Sequence, residues 1–413
     1  MSHVAVAVIG GGPSGLTAAA ALAPHVDGEV VVLEREAQTG GIPRHSDHLG
    51  YGMRDLHRFI SGPAYARRLT AMAADAGAVL ETDTMVTGWA GDRAMQITSP
   101  RGVRTVTADA VVLATGARER PRPARLIPGD RPDGVYTTGQ LQNLVHVHHT
   151  KVGTRAVIVG AELVSWSAVL TLREAGCATA AMVSAHRRPE AYAAFRSAGR
   201  LLLDSPVLTE SRLVAIYGKH RVRSVTVENL ATGERRDIGC DTVIFTGDWI
   251  PDHELARTAG LQMDGGTRGP VVDAALRTSH PGVFAVGNLL HPVDTADGAA
   301  LDGRHVASAV QAWLSNRDRA APTQTARIVV GRPFRWIAPQ LISSSACVPA
   351  RGDLLLWADQ YHRLPRLRAV QDGRVLATRR TAWPVAPGRI YRAPWSLVAD
   401  ADPEGGVVTL SLA

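Results

Sequence analysis

The sequence predicts an α/β protein with two βαβ units followed by a small β-rich C-terminal domain, on three observations. A short apolar run, Val4 to Ile9, ends in glycines and is followed by the Ala-rich stretch Leu16 to Leu22. The same order of strand, turn and helix returns at Ala156–Gly160 and Val164–Glu174. From about Arg327 helical periodicity gives way to short strands and turns.

Taken in order, Val4–Ile9 reads as a strand, Leu16–Leu22 as a helix, and the β-branched run Glu29–Leu33, closing on Glu34, as a second strand, which makes a βαβ unit. A helical pattern over Tyr65–Ala76 leads to strands near Val79–Thr82 and Met95–Thr98, a hairpin-like strand Val103–Thr107 and an apolar run Ala110–Ala114. Pro121, Pro123, Pro128 and Pro132 mark a linker. The second unit continues from its helix to a strand at Ala178–Val183 and, through strand-like pieces, to Thr242–Gly247, so the two halves read as an internal duplication. After Pro281, Val283–Gly287 reads as a strand and Gly298–Ser315 as a helix. In the tail, Asp372-Gly373 between Leu367–Val370 and Arg374–Thr378 is a hairpin signal.

Composition bounds the function. The 413 residues carry 45 Lys+Arg against 38 Asp+Glu, a net charge of +7, and 45% are hydrophobic, a globular balance that excludes disorder and collagen-like repeats. At roughly 150 residues per domain the length predicts two or three domains. No run reaches the ~18 apolar residues of a membrane span, and the apolar N-terminus is broken by glycines and Pro13 instead of ending in a cleavage site. A soluble, unprocessed, cytoplasmic chain is expected. Cys177, Cys240 and Cys347 lie far apart, which fits a reducing compartment and argues against a redox dithiol, an iron–sulfur cluster or a zinc site in this chain. His146, His148 and His149 have no carboxylate or cysteine at ligand spacing, so no metal is expected. From Ala326 onward there are 12 Arg and no Lys against 6 Asp+Glu, or +6. This reads as a solvated surface or as one that steers an acidic protein partner. The basic residues are not interleaved with aromatics, so nucleic acid is not expected.

Gly10-Gly11-Gly12-Pro13-Ser14-Gly15 sets G-x-G-x-x-G directly after a strand and before a helix, a Rossmann-like dinucleotide fingerprint. The first glycine allows the turn, the second lets a pyrophosphate approach the backbone, and the third lets helix pack on strand while the helix N–H groups face the phosphates. Glu34, 24 residues beyond Gly10, ends the second strand where a carboxylate accepts hydrogen bonds from a ribose diol.

Two further segments resemble known flavoproteins. Thr107-x-Asp109-x-Val111-Val112-Leu113-Ala114-Thr115-Gly116 is similar to the strand and turn that close over their adenosine-binding half, and Pro281 to Asn288 to the late strand whose end meets the ribityl chain. Over residues 1 to about 320 the chain thus resembles the two-dinucleotide-domain, thioredoxin-reductase-like flavoproteins. The resemblance implies a discontinuous FAD domain, 1–120 and 247–320, with an inserted NAD(P)-type domain, 121–246, beside the β-rich domain 326–413. It implies FAD held by the glycine loop with Pro13 and Ser14, by Glu34 and Arg35, by Gly41, Arg44 and His45, by Thr115 and Gly116, and by Gly287, Asn288, Asp297 and Gly298. Asn288 stands where that family usually has Asp, which predicts a weaker hold on the ribityl hydroxyls.

The second glycine loop reads Gly160-Ala161-Glu162-Leu163-Val164-Ser165 and keeps only the first glycine. Glu162 stands where backbone should approach a pyrophosphate; like charges ~4 Å apart repel by about 1 kcal/mol in water and about 4 at an intermediate dielectric. Against this, His186-Arg187-Arg188 resembles the basic motif that holds the 2′-phosphate of NADPH, so NADP bound by Gly160, His186, Arg187 and Arg188 is the opposing expectation.

An intact first site beside a degraded second one, with the stretches Gly40–His45 and Val164–Leu172, resembles the FAD subunits of multi-component amine and amino-acid dehydrogenases of the opine oxidase, sarcosine oxidase and hydrogen cyanide synthase type. That implies an FAD-dependent oxidoreductase acting on a small-molecule substrate, with partner subunits that carry a second flavin or an iron–sulfur centre. His45 and His48, in the loop expected to pass the flavin, are the candidate catalytic groups. Two alternatives stay open: a self-sufficient NADPH-dependent flavoprotein reductase, and an FAD-stabilised non-catalytic scaffold.

Overall fold

The computed structural model describes residues 2–188, 190–191, 206–315, 324–344 and 347–413; the domain end expected at residue 320 lies outside them. The chain divides into two compact units. One comprises Met1–Arg44, Gly50–Ala117 and Pro251–Ala413, the other His45–Leu49 and Arg118–Ile250.

The first unit opens with β1 (Ser2–Ile9), helix α1 (Pro13–Leu22) and β2 (Val30–Leu33). Val6 lies opposite Val30 in a parallel ladder, and Val4 through Ile9 are all buried, as expected for a strand covered on both faces. Helix α2 (Gly62–Asp75) starts on Ser61, whose hydroxyl accepts the Ala64 N–H at 3.4 Å, and buries Tyr65, Ala66, Leu69 and Ala73 on one face. Then come β3 (Val79–Glu81), β4 (Met85–Gly91), β5 (Ala94–Ser99) and β6 (Gly102–Leu113). The sheet order is β3-β2-β1-β6-β5-β4. Two expectations change here. Val103–Thr107 and Ala110–Ala114 form one continuous strand, whose first half pairs antiparallel with β5 and whose second half runs parallel to β1. The sequence reading also missed β4, since Met-Val-Thr-Gly-Trp-Ala-Gly offers no alternation and two glycines.

After Ala117 the chain enters the second unit: β7 (Val135–Thr137), β8 (Arg155–Val159), helix α3 (Leu163–Glu174), β9 (Ala178–Val183), β10 (Val207–Leu208) and β14 (Thr242–Phe245) form a parallel sheet in the order β7-β14-β8-β9-β10. Between β10 and β14 lies an antiparallel sheet of β11 (Ser211–Tyr217), β12 (Ser224–Asn229) and β13 (Arg235–Gly239).

The first unit resumes at Pro251. Strand β15 (Val283–Ala285) pairs with β6, Phe284 opposite Val112, and helix α4 (Ala296–Leu314) packs on α1. The approach is close at Gly303, where a Cβ would collide with the Ser14 carbonyl. The tail supplies β16 (Thr325–Val330), β17 (Phe334–Ala338), β18 (Leu341–Ser343), β19 (Asp353–Ala358), β20 (Arg366–Gln371), β21 (Arg374–Arg380), β22 (Tyr391–Pro394) and β23 (Val408–Leu412). They form a five-stranded sheet, β18-β16-β23-β20-β21, and a three-stranded one, β17-β19-β22, over a core of Leu354, Leu356, Leu367 and Leu410. The expected hairpin is β20–β21, with Asp372 and Gly373 at φ +48° and +78°. Among the described residues no helix is long and apolar enough to cross a membrane.

Candidate functional site

The glycine loop of the first unit divides its labour. Gly10 has φ +108°, and a Cβ there would stand 2.5 Å from the Ala114 carbonyl oxygen. A Cβ on Gly15 would collide with the Gly10 carbonyl, whereas one on Gly12 would meet nothing within 4 Å. Gly10 and Gly15 thus serve the turn, and Gly12 faces open space. Pro13 occupies the first turn of α1, and no side chain caps its N-terminus, so the first-turn N–H groups face a ligand position.

Glu34 is buried at the end of β2. Its Oε2 accepts the Gly11 N–H at 2.8 Å and its Oε1 the Glu36 N–H at 2.9 Å, which leaves each oxygen a lone pair for a ribose hydroxyl. Gly41, at φ +61°, stands so near that its Cβ would be 3.0 Å from the Gly12 Cα, while Arg44 is ion-paired to Glu36. Arg35, Thr115 and Gly116 meet at Asp252, which the sequence reading missed: Arg35 donates to its carboxylate at 3.1 Å, Thr115 to its carbonyl at 2.7 Å, and its N–H to the Gly116 carbonyl at 2.9 Å. Its signal was positional, as it lies just beyond the second βαβ unit. Gly287, at φ +68°, presses on α1, where its Cβ would be 2.6 Å from the Ser14 hydroxyl. An open Gly12, an uncapped helix N-terminus and a buried carboxylate with spare acceptor capacity fit a dinucleotide.

In the second unit the corresponding place is filled. Glu162 is 9% exposed; its Oε2 accepts the Ala161 N–H at 3.1 Å and lies 2.7 Å from where a Gly160 Cβ would stand. Its Oε1 lies 2.7 Å from a Cβ on Gly247 and has no hydrogen-bond partner. The basic motif is engaged locally: His186 lies 3.7 Å from Glu190, and Arg187 3.3 Å from Glu210.

A model of the family described as pyridine nucleotide-disulphide oxidoreductase matches residues 4–312. The chain belongs to that family. This oxidoreductase is FAD-dependent, as are the family and its relatives. It is 28% identical over 367 residues to the A subunit of opine oxidase from Agrobacterium tumefaciens, covering 79% of this chain and 71% of that protein. It is 26% identical to the ferredoxin reductase component of chlorobenzene dioxygenase from a Cupriavidus species, covering 90% and 88%. The fold matches thioredoxin reductase of Lactococcus lactis with a TM-score of 0.64 at 20% identity, covering 76% of this chain and 99% of that one.

The other predicted residues of this oxidoreductase are placed as follows. Asn288 donates to the Asp294 carbonyl at 3.0 Å and accepts the Asp294 N–H at 3.2 Å, so its side chain organises its own loop. Asp297, in the first turn of α4, accepts N–H groups from Arg54 and Gly298 at 3.0 Å each. A Cβ on Gly298 would press on Asp294. His45 and His48 lie in the segment His45–Leu49, which groups with the second unit. There the His48 ring bonds Ser46 and the Leu49 carbonyl, and Gln142 bridges Ser46 to Ser167. His146 rests against α3, 3.2 Å from the Thr171 hydroxyl.

A buried charge cluster adjoins Gly287 and was not legible in the sequence. Asp302 accepts the Gly287 N–H at 3.2 Å and pairs with His291; Arg351 lies 3.5 Å from Asp302 and 3.7 Å from Asp294, and Arg392 donates to Asp294 at 2.8 Å. Burial alone pushes both carboxyls up, but the guanidinium groups and His291 hold Asp294 and Asp302 below the ordinary carboxylate range. Two arginines of the basic tail are therefore internal counter-ions.

Two carboxyls of the second unit shift the other way. Burial, with the charge of Glu162 adding to it, pushes Glu119 and Glu190 up to about 7. A carboxyl raised on folding stabilises fully below its unfolded value near 4.5 and loses that contribution as pH rises through about 7, at ~1.4 kcal/mol per pH unit. The unit's melting temperature is expected to fall between pH 5 and pH 8 in calorimetry, and Glu119→Gln to flatten the slope; an unchanged slope would refute this.

Proposed function

We propose that the chain is the flavin-carrying subunit of a multi-component dehydrogenase oxidising an amine, an amino acid or a similar small metabolite. The observation that carries this reading is the state of the thiols. Cys177 and Cys240 are buried, and burial pushes each thiol up to about 11; Cys347 is distant in sequence from both. At neutral pH such thiols stay protonated, and the thiolate is the form that attacks or exchanges a disulfide. A relay through these two thiols is therefore absent from this reading, and electrons pass to a carrier outside the chain. The likeness to the opine oxidase protein, by name one subunit of an assembly, supports the same reading.

Bound FAD supplies a two-electron acceptor for the hydride equivalent of a C–H bond beside nitrogen. The chain's own residues hold it. The α1 N-terminus and Gly12 receive the pyrophosphate, Glu34 the ribose, and the Gly287 turn the ribityl end. His45 and His48 are the proposed proton carriers. Arg366 lies directly opposite Arg380 on β20 and β21, both exposed and with no carboxylate partner among the described residues, an unfavourable pairing that an acidic partner surface relieves.

Anaerobic titration of the holoprotein tests the reading. NADPH and NADH are expected to leave the flavin oxidised, an amine or amino acid to bleach it, and the Cys177→Ser/Cys240→Ser variant to bleach at the same rate. Stoichiometric bleaching by NADPH, or loss of bleaching in the cysteine variant, would sink it.

A further inference from the structure

We infer that Glu162 is an internal occupant of the second nucleotide crevice: its carboxylate takes the place of a dinucleotide pyrophosphate and sets this unit against nicotinamide cofactors. The inference rests on the function proposed above and deepens it. In open α/β sheets a dinucleotide binds outside the carboxyl ends of the parallel strands, with its pyrophosphate at the N-terminus of the helix after the first strand. In the second unit that place lies beyond Val159 and Phe245, the last residues of the paired strands β8 and β14, and before Leu163, where the 12-residue helix α3 begins.

The Glu162 carboxylate lies there. One oxygen is 2.7 Å from where a Gly160 Cβ would stand and the other 2.7 Å from where a Gly247 Cβ would stand, so it is cradled between the glycines that follow the two strands. It accepts the Ala161 N–H of the turn, a backbone donor of the glycine loop. Ser165, at the third glycine position, is bonded to the Thr246 hydroxyl at 2.7 Å and closes the floor. The first unit supplies the control within the same chain. There the equivalent position is Gly12, with nothing within 4 Å of its Cβ direction, and the carboxylate of Glu34 lies at the strand end where a ribose is held. Hydrogen bonding alone does not account for the burial of Glu162, because its Oε1 is buried without a hydrogen-bond partner, which costs stability.

The test measures NADPH binding to the FAD-loaded chain by calorimetry, with anaerobic flavin bleaching as a second readout. The wild-type chain is expected to show no saturable binding. Glu162→Gly and Glu162→Ala are expected to gain affinity by about tenfold to a thousandfold, because they remove both a like charge at contact distance and the side chain that fills the place. Glu162→Gln, which keeps the bulk, is expected to gain less than either. FAD content and melting temperature check that each variant is folded. Folded Gly and Ala variants that gain nothing, or a Gln variant that gains as much as they do, would overturn the occupancy and leave the proposed function standing. Wild-type binding of NADPH with bleaching would overturn both.

Discussion

Asp294→Ala is expected to cost about 3–5 kcal/mol of stability, a large share of the roughly 5–15 kcal/mol of a typical domain. The carboxylate is buried and faces Arg392 at 2.8 Å and Arg351 at 3.7 Å. Removing it takes from the Arg392 guanidinium the carboxylate to which it donates, in a site mostly closed to water, while Arg351 keeps Asp302 at 3.5 Å. Removing both ends together, as Asp294→Ala/Arg392→Met, is expected to recover more than half of the loss, because most of the penalty belongs to the stranded charge. Calorimetric unfolding of the two variants decides it, and a single variant within about 1 kcal/mol of the wild type would refute the account. The pH dependence has a definite sign. Asp294 and Asp302 titrate below their unfolded values, so their contribution is complete above about pH 4 and is lost only as the pH falls through their lowered folded values.

Gly12→Val is expected to yield a folded but colourless protein. Its Cβ would meet no atom of the chain within 4 Å, so the fold is unaffected, yet the branched side chain fills the space in front of the uncapped α1 N-terminus. An FAD affinity lowered by at least about a hundredfold, or ~2.7 kcal/mol, is the expected result. Gly15→Val separates binding from folding, since its Cβ would overlap the Gly10 carbonyl and the loop could not close. Fluorescence titration of FAD into the two apoproteins, with circular dichroism, makes the comparison. A Gly12→Val protein that purifies yellow with one FAD per chain would show that the pyrophosphate lies elsewhere.

Much of the first crevice was legible because its parts are close in sequence. Strand, glycine turn and helix span residues 2–22, and each glycine has a steric reason visible in a local pattern. The strand ends of both sheets were readable for the same reason, as apolar runs closed by glycine. What escaped was built from distant segments. Arg351 and Arg392 look in sequence like the other arginines of a basic tail, and composition does not reveal that they are half-buried, both against Asp294 and Arg351 also against Asp302. Asp252 is anonymous until the chain returns and sets it against Thr115 and Gly116. Glu162 was legible as a charge in the wrong place, but the folding back of its side chain between Gly160 and Gly247 depends on a strand about 80 residues away.

The interrupted first unit also orders events during synthesis. Its α1 is made within the first 22 residues, but the helix that covers it, α4, ends at Leu314, and β15, which extends its sheet beside β6, begins at Val283. The second unit's chain is complete by Ile250. At roughly 5–20 residues per second, the ribosome needs about 3–13 seconds to make the stretch from there to Leu314. Throughout that interval the older segment waits with the face of α1 that packs on α4 uncovered, while the younger unit can already close. The segment that is translated before the second unit is therefore completed after it.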